Sequence, residues 1–327
     1  MTNFSSVSVI GCGRWGGFLG YYCAKYKNSK VLFLGVPQDP AYQSLIKTGN
    51  NGYVTMPANV SYTTDMAECL KNDFIIVSIG CQGFRGLCKQ MSTYDLRNKT
   101  FLLAMKGLEE NTAMRMSEVF RQEITEPTGR VACLMGPGHV QDYIQEIPSC
   151  VVVDSDNENT IHEIADYLNS SLIRTYYGTD LVGNEVGAAM KNVIGLAAGI
   201  LDGLGWSGLK GALMARAPVE VGRLIEYFGG NPKSAYGLAH LGDYEATLFS
   251  PHSHNRAYGE SLVKGPKFDK LAEGVPTLAA VYALRDKVDM PICRSLYRVV
   301  YENQEPKAAI GHLFRRENKV EFMDMDK

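Results

Sequence analysis

The chain lacks an excess of charge of either sign. Its 33 Lys and Arg stand against 35 Asp and Glu, a net charge of -2. Nucleic acid and anionic membrane surfaces therefore have no general electrostatic hold on it, and any phosphate must be met by locally placed basic residues. Paired-cysteine motifs are missing too: eight cysteines occur, none in CxxC spacing. Cys133 and Cys150 lie in apolar, strand-like runs and Cys12 in a glycine turn, so they read as reduced, mostly buried small hydrophobes of a cytoplasmic protein. His252 and His254 could share a strand face, but no third ligand stands near them, so no metal is expected. The first apolar run is short and ends in glycines, unlike a signal peptide. Repeats and low-complexity segments are absent. The longest apolar run is interrupted by Lys191 and Asn192 and is rich in glycine and alanine. It reads as core rather than a membrane span, so none is expected.

What is there fits a globular chain long enough, at 327 residues, for two domains with separate cores. In the first half short apolar runs alternate with helical patterns. The strand-like runs are Val7–Ile10, Val31–Leu34, Phe74–Ile79, Phe101–Met105, Val131–Met135 and Val151–Val153. Between them lie the helix-like segments Trp15–Lys27, Asp65–Lys71 (after the capping hydroxyls of Thr63 and Thr64), Thr112–Glu123 and Asn159–Leu168. Such alternation predicts a parallel, doubly wound sheet. From Gly183 onward the pattern is helical, with glycine breaks at Gly203–Gly211, Gly229–Asn231 and Gly237–Gly242. The boundary is placed near Gly178, dividing the chain into residues 1–178 and 179–327. The charged stretch Glu317–Lys327 is expected to fray.

Gly11, Gly13 and Gly16 match GxGxxG, directly after the first strand and before a helix. The first glycine permits a tight turn, the second lets the backbone approach a pyrophosphate, and the third lets helix pack on strand. The phosphates would meet the positive end of that helix. The second strand ends Phe33-Leu34-Gly35-Val36-Pro37, with neither the acid that holds a free ribose nor the arginine that accepts a 2′-phosphate. Asp39 lies further along. The choice falls on NAD(H) and/or NADP(H), with a slight preference for NAD(H).

Lys191 sits in Val186–Ile200, a run apolar or small on every helical face except at Lys191 and Asn192. A helix apolar all round is a buried one. A lysine near its middle loses hydration and becomes a candidate proton donor or acceptor; the competing reading is a core lysine that snorkels past the helix edge. Lys106 ends a strand where a ligand crevice would open, or is an ordinary loop lysine. Gly136-Pro137-Gly138-His139 ends another strand: Gly136 would let a ligand approach, and His139 would contact phosphate or cap the next helix. Asp243 is a candidate partner for Lys191. Asp202 is a rival, but eleven positions along one helix puts it roughly 16 Å away. Ser250–Arg256 is a dense set of hydroxyl, imidazole, amide and guanidinium donors that suits a phosphate, or an exposed turn.

Taken together, these segments resemble the NAD(P)-dependent glycerol-3-phosphate dehydrogenases over nearly the whole chain. The resemblance is carried by the glycine turn with Trp15, Met105–Glu109, Gly136-Pro137, Gly187–Ile194, Gly237–Asp243, Ser253–Arg256, Glu273–Val275 and Met290–Ile292. It implies an α/β fold, an N-terminal Rossmann-type doubly wound domain followed by an all-helical C-terminal domain that binds substrate, in a cytoplasmic homodimer. It implies that Lys191 transfers the proton, with Lys106 and Asp243 in the catalytic set. Substrate contacts would come from Lys106, Gly136, Gly138, Lys191, Asp243, Ser253, His254, Asn255 and Arg256. Cofactor contacts would come from Gly11, Gly13, Arg14, Trp15, Gly16, Lys106, Val140, His254 and Glu273. The implied activity is reversible reduction of dihydroxyacetone phosphate to sn-glycerol 3-phosphate, which supplies the glycerophospholipid backbone. Three departures stand out. Gly138 replaces the family's usual serine or threonine, His254 its usual arginine, and the arginine near the end of the second strand is missing. Arg256 is the candidate to compensate for His254. The departures leave a diverged dehydrogenase of another phosphorylated ketone or 2-hydroxy compound as the alternative. A non-catalytic nucleotide sensor would have no use for Lys191, Lys106 and Asp243 together.

Overall fold

The eight strands form where short apolar or β-branched runs meet turn residues. They are β1 (Ser6–Ile10), β2 (Lys30–Leu34), β3 (Val60–Thr63), β4 (Phe74–Val77), β5 (Thr100–Leu103), β6 (Arg130–Met135), β7 (Ser149–Asp154) and β8 (Ile173–Tyr177). A computed structural model describes residues 4–125, 130–265, 268–318 and 320–321; of the stretch expected to fray, residues 319 and 322–327 lie outside the described residues. The strands make one sheet in the order β3-β2-β1-β4-β5-β6-β7-β8. All six runs read from the sequence are strands. The parallel, doubly wound sheet expected from the sequence is observed at every pairing but one: β7 runs antiparallel to β6, while β8 is parallel to β7. The link from β6 to β7 holds only a one-turn helix, so the chain returns alongside the strand it has just left.

β3 and β8 escaped the sequence reading for a common reason. Both are edge strands with one buried residue each, Thr63 and Ile173; the rest of β3 is mostly half-buried and most of β8 is exposed. Central strands such as Phe74–Val77 are buried at every position and show as continuous apolar runs. Helices α1 (Arg14–Tyr26), α2 (Pro40–Thr48), α3 (Met66–Cys69), α4 (Phe84–Met91), α5 (Met116–Glu123), α6 (Val140–Tyr143) and α7 (Glu158–Leu168) connect the strands. The core of this unit joins Val7, Val9, Phe33, Phe74, Ile76 and Leu102 to Phe18, Leu19 and Tyr22 of α1.

The chain divides into two compact units, Met1–Lys106 with Met114–Leu181, and Gly107–Ala113 with Val182–Lys327. The division falls after Leu181 rather than Gly178. Gly107–Ala113 belongs with the second unit because Leu108 and Ala113 are buried in its core. That excursion is why the helix expected from Thr112 begins only at Met116.

The second unit is built from α8 (Leu181–Gly203), α9 (Lys210–Tyr227), α10 (His254–Lys264), α11 (Gly274–Tyr282), α12 (Pro291–Tyr301) and α13 (Pro306–Phe314), with short turns between them. Among the described residues α8 is the one helix long and apolar enough to cross a membrane, and 83% of its most apolar stretch is buried within the protein. Val186, Ala189, Met190, Val193 and Leu196 of α8 pack with Val221, Leu224 and Leu278. α8 meets α10 at main-chain distance. A Cβ on Gly199 would fall 1.9 Å from the Arg256 carbonyl oxygen, and one on Gly259 2.0 Å from that of Leu196.

Candidate active site

In the first unit the glycine turn follows β1, where the strand order reverses between β1 and β4; ligands of open α/β sheets bind at such a reversal. Gly11 has φ +111°, and a Cβ there would fall 2.2 Å from the Ser78 carbonyl oxygen. A Cβ on Gly16 would fall 2.3 Å from the Gly11 carbonyl oxygen, whereas a Cβ on Gly13 would meet no atom within 4 Å. The three glycines thus serve a tight turn, an open approach and helix–strand packing, and at Gly13 the side-chain direction is clear of protein. No acidic side chain stands in the first turn of α1, so its positive end is free to attract phosphate. This cradle fits a dinucleotide.

Asn51 was missed by sequence reasoning. It is buried, and its Nδ2 donates to the carbonyls of Cys12 (3.3 Å) and Gly13 (3.1 Å). Its Oδ1 accepts from the Tyr53 and Val54 N–H groups. The guanidinium of Arg14 lies 6.0 Å from the Tyr53 ring centre. Trp15 packs on Phe18 and Tyr143, at 5.6 and 6.1 Å between ring centres. Burial pushes the Cys12 thiol up to about 12, with Asp39 adding to the effect, so it is no nucleophile at neutral pH. Asp39 itself caps α2, accepting from the Ala41 N–H at 3.0 Å.

Lys106 donates to the Gly136 carbonyl at 2.7 Å, which ties together the ends of β5 and β6. A Cβ on Gly138 would lie 2.8 Å from the Tyr143 ring. That ring stacks 4.7 Å from Phe18, so the absence of a side chain at Gly138 makes room for a packed aromatic cluster. His139 stands at the N-cap of α6, but its ring does not cap that helix. Val140 is 2% exposed and part of the core; it can offer a ligand only its main chain.

In the second unit Lys191 extends from α8 to the turn Leu241–Asp243 and the π-helical turn Glu245–Phe249. Its Nζ lies 3.2 Å from Asp243 Oδ2 and donates to Thr247 Oγ1 at 2.8 Å. The side chains of Lys191 and Asp243 are 12% and 2% exposed, so the ammonium is held by a buried carboxylate. Thr247 was not foreseen, although it lies one helical turn beyond Asp243. The next residue of α8, Asn192, accepts from Asn255 Nδ2 at 2.9 Å, and Asn255 Oδ1 accepts from the Gly274 N–H at 2.9 Å. Asn255 therefore links the lysine helix to the segment carrying Glu273.

The polar cluster differs from expectation. His252 lies in a turn and His254 opens α10, so the two do not share a strand. Ser253 Oγ caps α10, accepting from the Arg256 N–H at 3.3 Å. The His254 ring meets the Leu271 carbonyl at 3.2 Å. Arg256 is corrected most. Its guanidinium pairs with Asp202 at 2.9 Å and Glu260 at 3.0 Å and donates to the Ser250 carbonyl at 3.1 Å. It is spent on carboxylates rather than held out for a phosphate. Asp202 also pairs with Lys210 at 2.7 Å. Burial pushes the Asp202 pKa up, but hydrogen bonds from Lys210, Ser207 and Arg256 outweigh that and hold it below the usual carboxylate value. Asp202 is thus the partner of Lys210 and Arg256, and Asp243 that of Lys191.

Comparison with known proteins follows the same division. Residues 6–161 match the family described as NAD-dependent glycerol-3-phosphate dehydrogenase N-terminus, and residues 180–311 match the C-terminus of the same enzyme. A glycerol-3-phosphate dehydrogenase [NAD(P)+] from Clostridium botulinum is 35% identical over 97% of this chain and 99% of its own length. One from Bacillus pumilus is 34% identical over 98% and 96%. The crystal structure of glycerol-3-phosphate dehydrogenase from Coxiella burnetii superposes with a TM-score of 0.88 at 26% identity, covering 95% of this chain and 99% of that one. D-mandelate dehydrogenase shares the fold alone, at TM-score 0.60 and 13% identity. The chain belongs to the NAD-dependent glycerol-3-phosphate dehydrogenase family and is an oxidoreductase.

Proposed function

We propose that the chain reduces dihydroxyacetone phosphate reversibly to sn-glycerol 3-phosphate, with the first unit binding the nucleotide and the second carrying the acid. The observation that carries the mechanism is the Lys191 ammonium held by Asp243 and Thr247. A bound nicotinamide cofactor supplies the hydride to C2 of the ketone. As that C–H bond forms, the carbonyl π pair moves onto oxygen, and Lys191 Nζ gives its proton to the developing alkoxide. Asp243 keeps the lysine charged beforehand and orients it. Lys106, fixed by the Gly136 carbonyl, adds positive charge near the substrate oxygens. Gly136, Gly138, Ser253, His254 and Asn255 are assigned to the substrate, and Gly11, Gly13, Arg14, Trp15, Gly16, Val140 and Glu273 to the nucleotide. The Ser253 hydroxyl keeps its own proton to donate while it accepts the cap bond.

NADH is favoured slightly over NADPH. The end of β2 carries no arginine, and a Cβ on Gly35 would fall 1.9 Å from the Tyr42 ring. The reading extends to a cytoplasmic homodimer that supplies the glycerophospholipid backbone. One assay tests substrate and cofactor together: dihydroxyacetone phosphate with NADH and with NADPH, following cofactor oxidation. Turnover with NADH at the higher kcat/KM is expected. No oxidation of either cofactor would overturn the activity, and faster oxidation with another phosphorylated ketone would move the substrate.

A further inference from the structure

The mechanism above uses Lys191, Asp243 and Thr247, but not the buried imidazole beneath them. His240 is fully buried, and both of its ring nitrogens are engaged. Nδ1 lies 2.8 Å from the Gly187 carbonyl oxygen, and Nε2 lies 2.6 Å from the Tyr244 hydroxyl. A carbonyl can only accept, so Nδ1 carries the proton. The neutral ring then presents a lone pair at Nε2, and Tyr244 donates to it. The chain of bonds has one direction, from the Tyr244 hydroxyl through the His240 ring to the Gly187 carbonyl. Burial holds the ring's pKa down to about 4 despite the Gly187 bond and Asp243, so this tautomer persists at neutral pH.

The ends of that chain are well placed. Gly187 stands one helical turn before Lys191 on α8, and having no side chain it admits His240: a Cβ there would lie 3.1 Å from the His240 Cβ. The His240 carbonyl accepts from the Asp243 N–H at 3.0 Å, and the Tyr244 carbonyl accepts from the N–H groups of Thr247 (3.0 Å) and Leu248 (2.7 Å). The two residues therefore hold, through their own main chains, Asp243 and Thr247, which touch the Lys191 ammonium. Through their side chains they hold the helix that carries it.

We propose that His240 and Tyr244 are positioning residues that fix Asp243 and Thr247 against Lys191 by bracing the turn 240–247 on the Gly187 carbonyl. The proposal rests on the reading of Lys191 as the proton donor. Neither residue touches the substrate. Their contribution is to keep the ammonium where the alkoxide forms, and a loose brace lets it swing away.

The test uses the full chain with Tyr244→Phe, His240→Ala and His240→Asn. Tyr244→Phe removes one hydroxyl and preserves the ring. Tyr244→Phe and His240→Ala should lower kcat by roughly tenfold to a hundredfold, the scale of loss when a reacting group is misplaced by about 1 Å. The KM for the nicotinamide cofactor should stay unchanged, and the limb of the kcat–pH profile set by Lys191 should move. His240→Asn, which keeps a donor for the Gly187 carbonyl, should restore most of the loss seen with alanine. Nitrogen shifts of the His240 ring should show the proton on Nδ1, and the Lys191 ammonium resonance should shift in Tyr244→Phe. Wild-type kcat and pH profile in Tyr244→Phe, or a proton on Nε2, would overturn the brace. Should the unmodified protein oxidise no cofactor with dihydroxyacetone phosphate, the functional reading fails separately. The Lys191 resonance then decides the brace, and no shift in Tyr244→Phe sinks it.

Discussion

Lowering the pH from 7 toward 4 should weaken the fold through His240, and the size of the effect follows from its burial. Desolvation lowers the ring's pKa most, the nearby Lys191 charge lowers it further, and the Gly187 carbonyl and Asp243 oppose them; the net result is a fall from 6.5 to about 4. In that window the unfolded imidazole takes up a proton and the native one does not. Unfolding therefore binds protons, and stability falls as pH falls. His240's contribution is complete above pH 6.5, is lost progressively below it, and stops changing below about 4, where the native ring also protonates. At roughly 1.4 kcal/mol per pH unit, the whole window is worth about 3 kcal/mol. Glu220 works the other way in the same unit. Burial pushes its pKa up against the N–H groups of Cys293 and Ile292 that it accepts, so acidification stabilises the fold through that residue. A single acid titration would mix the two.

Urea unfolding of the wild type and His240→Asn at pH values between 7 and 4.5 separates them. Glu220 is common to both proteins, so the difference in unfolding free energy isolates the histidine. The variant should be less stable at pH 7, and the gap should narrow by about 2–3 kcal/mol as the pH reaches 4.5. A gap that stays constant across the range would show that His240 titrates alike in both states, and the buried, doubly bonded imidazole would be wrong. A His240 ring resonance that titrates near 6.5 in the folded protein would refute the argument equally.

Lys191→Ala should cut kcat by roughly 10²–10⁴-fold, the usual worth of a positioned acid, while a fluorescence titration with NADH gives an unchanged dissociation constant. Gly13→Ala should leave the melting temperature of the unliganded protein within a degree or two and weaken NADH binding at least tenfold, because the added methyl meets no protein atom and intrudes only on the phosphate approach. Gly11→Ala, by contrast, should destabilise the unliganded fold itself, since its Cβ would fall 2.2 Å from the Ser78 carbonyl at φ +111°. Asp202→Ala should cost roughly 3 kcal/mol or more in urea unfolding. It leaves the Lys210 ammonium, whose side chain is only 7% exposed, with the Leu248 carbonyl at 2.9 Å but without the Asp202 carboxylate.

The residues legible in the sequence were those whose meaning is local. A glycine run between strand and helix, a lysine in an otherwise apolar helix and an alternating strand pattern each carry their geometry within a dozen neighbours. Thr247 was not legible, because its contact with Lys191 depends on the π-helical turn Glu245–Phe249, and no pattern of apolar spacing encodes a wider turn. Asn51 was not legible either. Its work is to hold the Cys12 and Gly13 carbonyls from almost forty residues away, and in the sequence it looks like any loop asparagine. The edge strands Val60–Thr63 and Ile173–Tyr177 were hidden by their exposure, since a strand buried on little of its surface has no need of a continuous apolar run.

Charge pairing was where the sequence misled. Arg256 stands beside His254 and Asn255, so proximity along the chain offered it as the phosphate donor. In the fold α8 and α10 cross so closely that Gly199 meets the Arg256 carbonyl. That crossing places Asp202, near the end of α8, against the Arg256 guanidinium and Lys210 together. The same helix presents Lys191 to Asp243 more than two turns earlier. Lys191 and Asp202 of α8 are each matched by an opposite charge from a different segment, and the spacing along α8 keeps these two pairs apart. Asp202 is occupied by Lys210 and Arg256, and Lys191 meets Asp243 and Thr247. Arg256, for its part, holds the Ser250 carbonyl just ahead of Ser253 and Asn255. On the function proposed above, Arg256 does not make good the departure at His254, and the phosphate contacts are expected from Ser253, Asn255 and His254.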